Sequence, residues 1–277
     1  MIKNKGIIKI CSIIIILSTI SLTGCIFRYG ENIYEYSNFE YDVDENTILD
    51  VNNINGQIDI DGWDNDTILF HFIKVTNEKY GEDEFDKIEI NINEVGNKII
   101  VEAVYLENRH HVSASMKIYV PDHVIVGKIS THNGGIYLND LKGDIESNTK
   151  NGPIYINNVD GFVEAISING PISVKDTMGV CDIITNNGVI YAEVSDINDD
   201  ISIRTDNGNI DVYINPDLNL DLDIQSVSTG GISLNDMLSL LSIERLDTRH
   251  IEAILGLGGN KISIRIFNGF INLYKLN

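Results

Sequence analysis

Three cysteines in 277 residues leave no material for a disulfide framework. Cys11 falls in the N-terminal segment discussed below, so Cys25 and Cys181 alone remain beyond it, and the argument that follows gives Cys25 another role. Basic residues are also scarce: 20 Lys and Arg stand against 41 Asp and Glu, a formal net charge of −21. That balance argues against nucleic acid, whose binding needs basic neutralisation of phosphate, and against flat adsorption on an anionic membrane. The six histidines form no HExxH pair, and none lies between His132 and His250, so sequence offers Cys181 no imidazole partner. No glycine-rich loop stands at a strand-to-helix turn. The apolar run Ile10 to Ile20 is too short to span a bilayer stably.

What the chain does have is a ladder of glycines. Gly134, Gly143, Gly152, Gly161, Gly170, Gly179 and Gly188 are evenly spaced, and every second one follows an asparagine: Asn133, Asn151, Asn169 and Asn187. The period, about 18 residues in two similar halves, is the mark of a repeat architecture. Small or apolar residues stand two and four positions after each glycine: Ile136 and Leu138, Ile145 and Ser147, Ile154 and Ile156, Val163 and Ala165, Ile172 and Val174, Cys181 and Ile183, Ile190 and Ala192. A spacing of two predicts strands with one buried face, while Gly and Asn suit corners that need positive φ.

A hairpin meander and a β-solenoid both fit Asn-Gly corners. Chemistry that repeats column by column at a fixed period favours stacking of each residue on its equivalent one period later. The expected fold is therefore an all-β, single-domain β-solenoid with coils of about 18 residues and two short strands per coil.

The signature appears early, at Asn55-Gly56 with Ile58 and Ile60. Between Thr67 and Val120 longer alternating strands are expected at Thr67 to Val75, Lys87 to Asn93, Lys98 to Tyr105 and Ser113 to Val120, forming an edge or cap. After Gly188 the ladder resumes with a two-residue slip at Asn207-Gly208, the insertion lying near Ser195 to Asp200. Met237 to Leu246 is read as a short helix or irregular excursion, and Asn268-Gly269 with Ile271 and Leu273 as the closing coil. Trp63, the single tryptophan, is read as a cap or core residue.

At the start, Lys3, Lys5 and Lys9 precede the apolar run, and Leu22-Thr23-Gly24-Cys25 follows it. This resembles the bacterial lipobox, which implies removal of residues 1–24 and lipidation (thioether-linked diacylglycerol, amide-linked palmitate) of Cys25. Several acyl chains make a stable anchor where one does not. Removal of residues 1–24 takes away three lysines and no acid, leaving the mature chain more acidic still. Residues 25–45 are read as the lipidated N-terminus and a tether or first strand, and residues 46–277 as the domain.

The Asn55-Gly56-Gln57-Ile58 unit, the run Met116 to Pro121 and the units Thr131-His132-Asn133-Gly134, Thr149-Lys150-Asn151-Gly152, Thr185-Asn186-Asn187-Gly188 and Thr205-Asp206-Asn207-Gly208 carry a wider resemblance, as does the ending Gly258 to Arg265 with Asn268-Gly269. Over Thr47 to Tyr274 the chain resembles the bacterial DUF4097 family, also called the "putative adhesin domain". The resemblance implies a β-solenoid-type fold with no catalytic residues; Met237 to Arg249 departs from it.

The resulting expectation is a non-catalytic, lipid-anchored, extracytoplasmic protein of the cell membrane or outer membrane. It would act as an adhesin-like or scaffold module, contacting the bilayer through lipidated Cys25 and a protein or glycan through its coils, with no nucleic acid and no cofactor. An envelope stress-sensing or structural component and a carbohydrate-active β-helix enzyme are the alternatives. Cys181 is expected inside, as a small buried hydrophobe. His110-His111 as a weak metal pair, and Asn139-Asp140, Asn157-Asn158, Asp160 and Asp199-Asp200 as calcium ligands, compete with plain turn chemistry; no metal site is assigned.

Overall fold

The protein, represented by a computed structural model, is described over residues 30–277; Cys25 and the segment before it lie outside the described residues. The chain is all-β. The first strands are β1 (Asn32–Asp42), β2 (Ile48–Asn52), β3 (Ile58–Trp63) and β4 (Thr67–Asn77). A 3₁₀ turn at Glu82–Lys87 leads to β5 (Ile88–Val95), β6 (Lys98–Tyr105) and β7 (Ser113–Pro121). The regular part comprises β8 (Ile125–Asn133), β9 (Ile136–Lys142), β10 (Ile145–Asn151), β11 (Ile154–Asn169), β12 (Ile172–Asn187), β13 (Ile190–Val194), β14 (Ile201–Asn207) and β15 (Ile210–Ile214). The last strands are β16 (Leu220–Thr229), β17 (Ile232–Ser233), β18 (Leu241–Asp247), β19 (His250–Leu255), β20 (Asn260–Asn268) and β21 (Ile271–Lys275), with a second 3₁₀ turn at Asn235–Leu240.

The repeat pairs in parallel. Ile154 lies opposite Ile136 on one side and Ile172 on the other, and Ser147 lies between Ile129 and Ala165, so the offset is one full period on both sides of each corner. These ladders rule out the hairpin meander. Across the insertion the offset becomes 20, with Ile183 opposite Ile203, as the two-residue slip requires. Strands that precede an Asn-Gly corner form one row, the upstream face; strands that follow it form the downstream face. Both rows bury alternate residues in one hydrophobic core. Ile136, Ile154, Ile172, Ile190, Ile210 and Ile271 make one such column, each at most 1% exposed. Full burial of each isoleucine contributes about 1.5–3 kcal/mol.

The Thr-x-Asn-Gly unit has a separate physical reason for each residue. The asparagine side chains form a ladder along the corner: Asn151 Nδ2 donates to Asn133 Oδ1 at 2.8 Å, Asn169 to Asn151 at 2.9 Å, Asn187 to Asn169 at 2.8 Å and Asn207 to Asn187 at 2.9 Å. The buried hydroxyls of Thr149, Ser167, Thr185 and Thr205 donate to the carbonyls of Gly134, Gly152, Gly170 and Gly188, one level away. The glycine is required by closeness. A Cβ on Gly152 would stand 2.0 Å from the Gly134 carbonyl oxygen, and Gly152 is outside the left-handed region, so the expectation of positive φ at Gly152 is corrected. Among the Asn-Gly corners positive φ is found at Gly56 (134°), Gly208 (155°) and Gly269 (141°); in the levels of Gly134 to Gly188 it belongs to the opposite corner, at Asp140 (57°), Asn158 (53°) and Asp176 (49°), again one period apart.

Both ends depart from chain order. β2 and β3 do not begin the stack; they run parallel between β6 and β7 on one side and β8 and β9 on the other. Likewise β20 lies between β14 and β16, and β21 between β15 and β17. The expected closing coil is thus interior. Beyond these levels the strands turn antiparallel: β4 on β7 and β1 on β4, β5 on β6, and at the far end β19 on β16 and β18 on β19. Asn32–Asp42 is paired with β4 along its whole length. The segment Met237 to Leu246 divides into the end of the second 3₁₀ turn and β18.

Candidate binding face

Among the described residues eight tyrosines project from the outer side of the downstream face: Tyr34, Tyr36, Tyr119, Tyr137, Tyr155, Tyr191, Tyr213 and Tyr274. In-register neighbours such as Ile136 and Leu138 point into the core, so alternation sends each tyrosine outward. Among the described residues the strands of the upstream face present no outward tyrosine; Tyr105 there shares the inward parity of Val101 and Ala103. The rings pack across neighbouring strands in two groups with Ser173 between them: Tyr137 is stacked on Tyr155 at 5.5 Å between centroids, while Tyr191 is tilted against Tyr213 at 4.9 Å and Tyr213 is stacked on Tyr274 at 4.8 Å.

Charged and amide groups fill the rows between them. Lys117 pairs with Asp59 at 2.8 Å and with Asp61, Asn139 donates to Asp61 at 3.0 Å, and Asn272 donates to Asp211 at 2.8 Å. Lys175 Nζ lies 4.4 Å from the Tyr191 ring centre, a cation–π contact. The Tyr191 hydroxyl donates to Glu193 at 2.8 Å; burial first and then that carboxylate raise its pKa far above the ordinary phenol value, so the ring stays a neutral donor. The face combines flat apolar rings with hydrogen-bonding rows. Trp63 borders it, half-buried, with Nε1 donating to the Thr67 carbonyl at 2.8 Å and the ring 5.5 Å from Tyr119, outside the core column.

Cys181 is corrected. β12 carries two residues, Cys181 and Asp182, where β11 has Glu164, so Val180 faces Val163 and Ile183 faces Ala165. The bulge hands the inward place to Val180, which is fully buried, and leaves Cys181 partly exposed. Burial, then the carboxylates of Glu164 and Asp144, raise its thiol pKa, which keeps the thiolate scarce.

His110 and His111 are held by stacking, on Tyr105 at 3.7 Å and Tyr80 at 3.6 Å. At the acidic corners Asn158 Nδ2 donates to Asp140 Oδ1 at 2.6 Å, and Asp199 accepts from the Asp200 amide, which is turn chemistry. A cluster that the sequence reading missed lies on the upstream outer face, where antiparallel pairing of β16 with β19 brings Asp223, His250 and Glu252 together. No short-range spacing announces it, because 27 residues separate Asp223 from His250.

No family model and no curated protein matches the chain. Among solved structures it is similar to a "putative cell adhesion protein" from Clostridium sporogenes ATCC 15579, with 13% identity, 89% of this chain and 100% of that chain covered and a TM-score of 0.36. It is similar also to a "putative adhesin" from Bacteroides fragilis NCTC 9343, with 10% identity, 86% and 96% covered and a TM-score of 0.36. No helix among the described residues is long and apolar enough to cross a membrane.

Proposed function

We propose that the chain is a non-catalytic, lipid-anchored β-solenoid of the bacterial envelope, extracytoplasmic and adhesin-like, that binds a protein or glycan partner through its tyrosine-bearing face. One observation carries the binding reading: the outward tyrosines of the strands crowd onto one side of the molecule, where core packing requires none. Tyrosine supplies large contact area at low entropic cost and is enriched at interfaces. The parallel register of one period per level supports the solenoid form. The basic start, the short apolar run and Leu22-Thr23-Gly24-Cys25 support the anchor, with residues 1–24 removed, 25–45 bearing the lipid and the first strand, and 46–277 forming the body.

Protease shaving of intact cells, with lysed cells as control, tests the location. Digestion on intact cells is expected for an adhesin; protection lost on lysis would move the protein to a structural or sensing role beneath an outer layer. Cys25→Ser is expected to release the protein from the membrane fraction, and retention there would refute the lipid anchor.

A further inference from the structure

We infer that Asp223, His250 and Glu252 form a binding site for one divalent transition-metal ion. Two carboxylates converge on the same ring nitrogen. His250 Nε2 is 3.0 Å from Asp223 Oδ1 and 3.1 Å from Glu252 Oε1, and the three candidate ligand atoms all lie within 4.8 Å of one another. A ring nitrogen carries at most one hydrogen. It can make one good bond to one carboxylate, and the second oxygen then shares that hydrogen. A cation among the three atoms takes one lone pair from each, provided Nε2 carries no hydrogen. Metal–ligand bonds of about 2.0–2.2 Å to imidazole and carboxylate bring ligand atoms to separations of the observed size.

The surroundings fit a ligand set. Gln225 Nε2 donates to Asp223 Oδ1 at 3.0 Å and Lys261 Nζ to Oδ2 at 2.9 Å, fixing that carboxylate as supporting groups do in metal sites. Arg245 reaches Glu252 at 3.8 Å. All three ligands stand on strands paired in register, Asp223 opposite Glu252 and Gln225 opposite His250, so the backbone presets the approach. One imidazole with two carboxylates suits zinc-like first-row ions better than magnesium or calcium, which prefer oxygen alone. The side chains of Asp223 and His250 are 20% and 21% exposed, leaving a side open for water or a ligand group from a partner.

The test is calorimetric titration of zinc into detergent-solubilised full-length protein stripped with chelator, paired with cobalt(II) absorption. The expected result is saturable binding of one ion per chain, a rise in melting temperature with zinc, and a cobalt spectrum without a thiolate charge-transfer band. His250→Ala should weaken binding by more than about tenfold, and so should Glu252→Gln, which preserves shape if the alanine variant disturbs β19. His110→Ala/His111→Ala should leave binding intact. Absence of saturable binding, binding unchanged in both site variants, or binding lost in the His110/His111 variant would overturn the assignment. None of these outcomes depends on the location or the tyrosine face.

Discussion

The Thr185 hydroxyl donates to the Gly170 carbonyl oxygen at 3.0 Å, across 15 residues of sequence and one level of the stack. Thr185 is wholly buried, so water cannot replace the bond. Thr185→Val keeps the shape and removes the donor. It is expected to cost about 1–2 kcal/mol, the net worth of a buried bond plus the stranded acceptor, while Thr185→Ser should recover most of the loss. Chemical denaturation measures both; equal stability of the valine variant would refute the role of the hydroxyl ladder.

Gly152→Ala tests closeness against backbone strain. The added methyl would meet the Gly134 carbonyl at 2.0 Å, whereas at Gly96, where φ is 66°, nothing lies within 4 Å. Gly96→Ala should therefore cost only the left-handed penalty, about 1 kcal/mol, and Gly152→Ala distinctly more, because two packed levels must part. Thermal melts of the two variants side by side should rank them in that order.

Removal of residues 256–277 deletes an interior level, not an end. It strips β14 and β16 of their common partner β20, and β15 and β17 of β21. Loss of a terminal repeat costs one interface; loss of this one costs two and exposes both sides of the gap. The truncated chain is expected to lose its cooperative melting transition by circular dichroism. Persistence of a sharp transition would show that β16 to β19 can close on β14 unaided.

Glu84 supplies a pH test. It is 5% exposed, and its carboxylate accepts from Lys87 Nζ at 2.7 Å and from the His111 amide at 2.5 Å. The bond from Lys87, then that from the His111 amide, hold its pKa below the ordinary 4.5. A depressed folded pKa means that ionised Glu84 stabilises the fold fully above the unfolded value, and that this contribution disappears as pH falls through the folded value. The stability difference between the wild-type protein and Glu84→Gln should therefore be constant near neutrality and shrink on acidification below about pH 4.5. A difference that widens in acid would contradict the assignment. Urea denaturation at a series of pH values reads it directly.

The period, the corners and the inward columns were open to reading because parallel strands paired in register impose the same demand at every level. Asn151 and Asn169 must ladder, Gly152 must make way for Gly134, and Ile154 must cover Ile136, so each level writes the same letters. Even the slip near Ser195 to Asp200 leaves its mark, because Ile203 has to regain the column of Ile183. Periodicity misplaced Cys181 for an equally local reason: β11 carries one extra residue between Val159 and Phe162 and β12 one between Val180 and Ile183, so the two irregularities cancel and the glycine spacing shows neither.

The sequence by itself thus determined the strand pattern, the buried columns and the Thr-x-Asn-Gly corner, all of which repeat a contact between neighbouring levels. Tertiary structure alone decided the order of levels at the two ends, where β2 pairs with β6 and where Asn207 of β14 meets Asn268 of β20 across 61 residues. It alone gathered Asp223, His250 and Glu252, and stacked Tyr274 on Tyr213. Such contacts join segments whose separation follows no period, so pairing free energy fixes them while the linear pattern carries no trace of the partner.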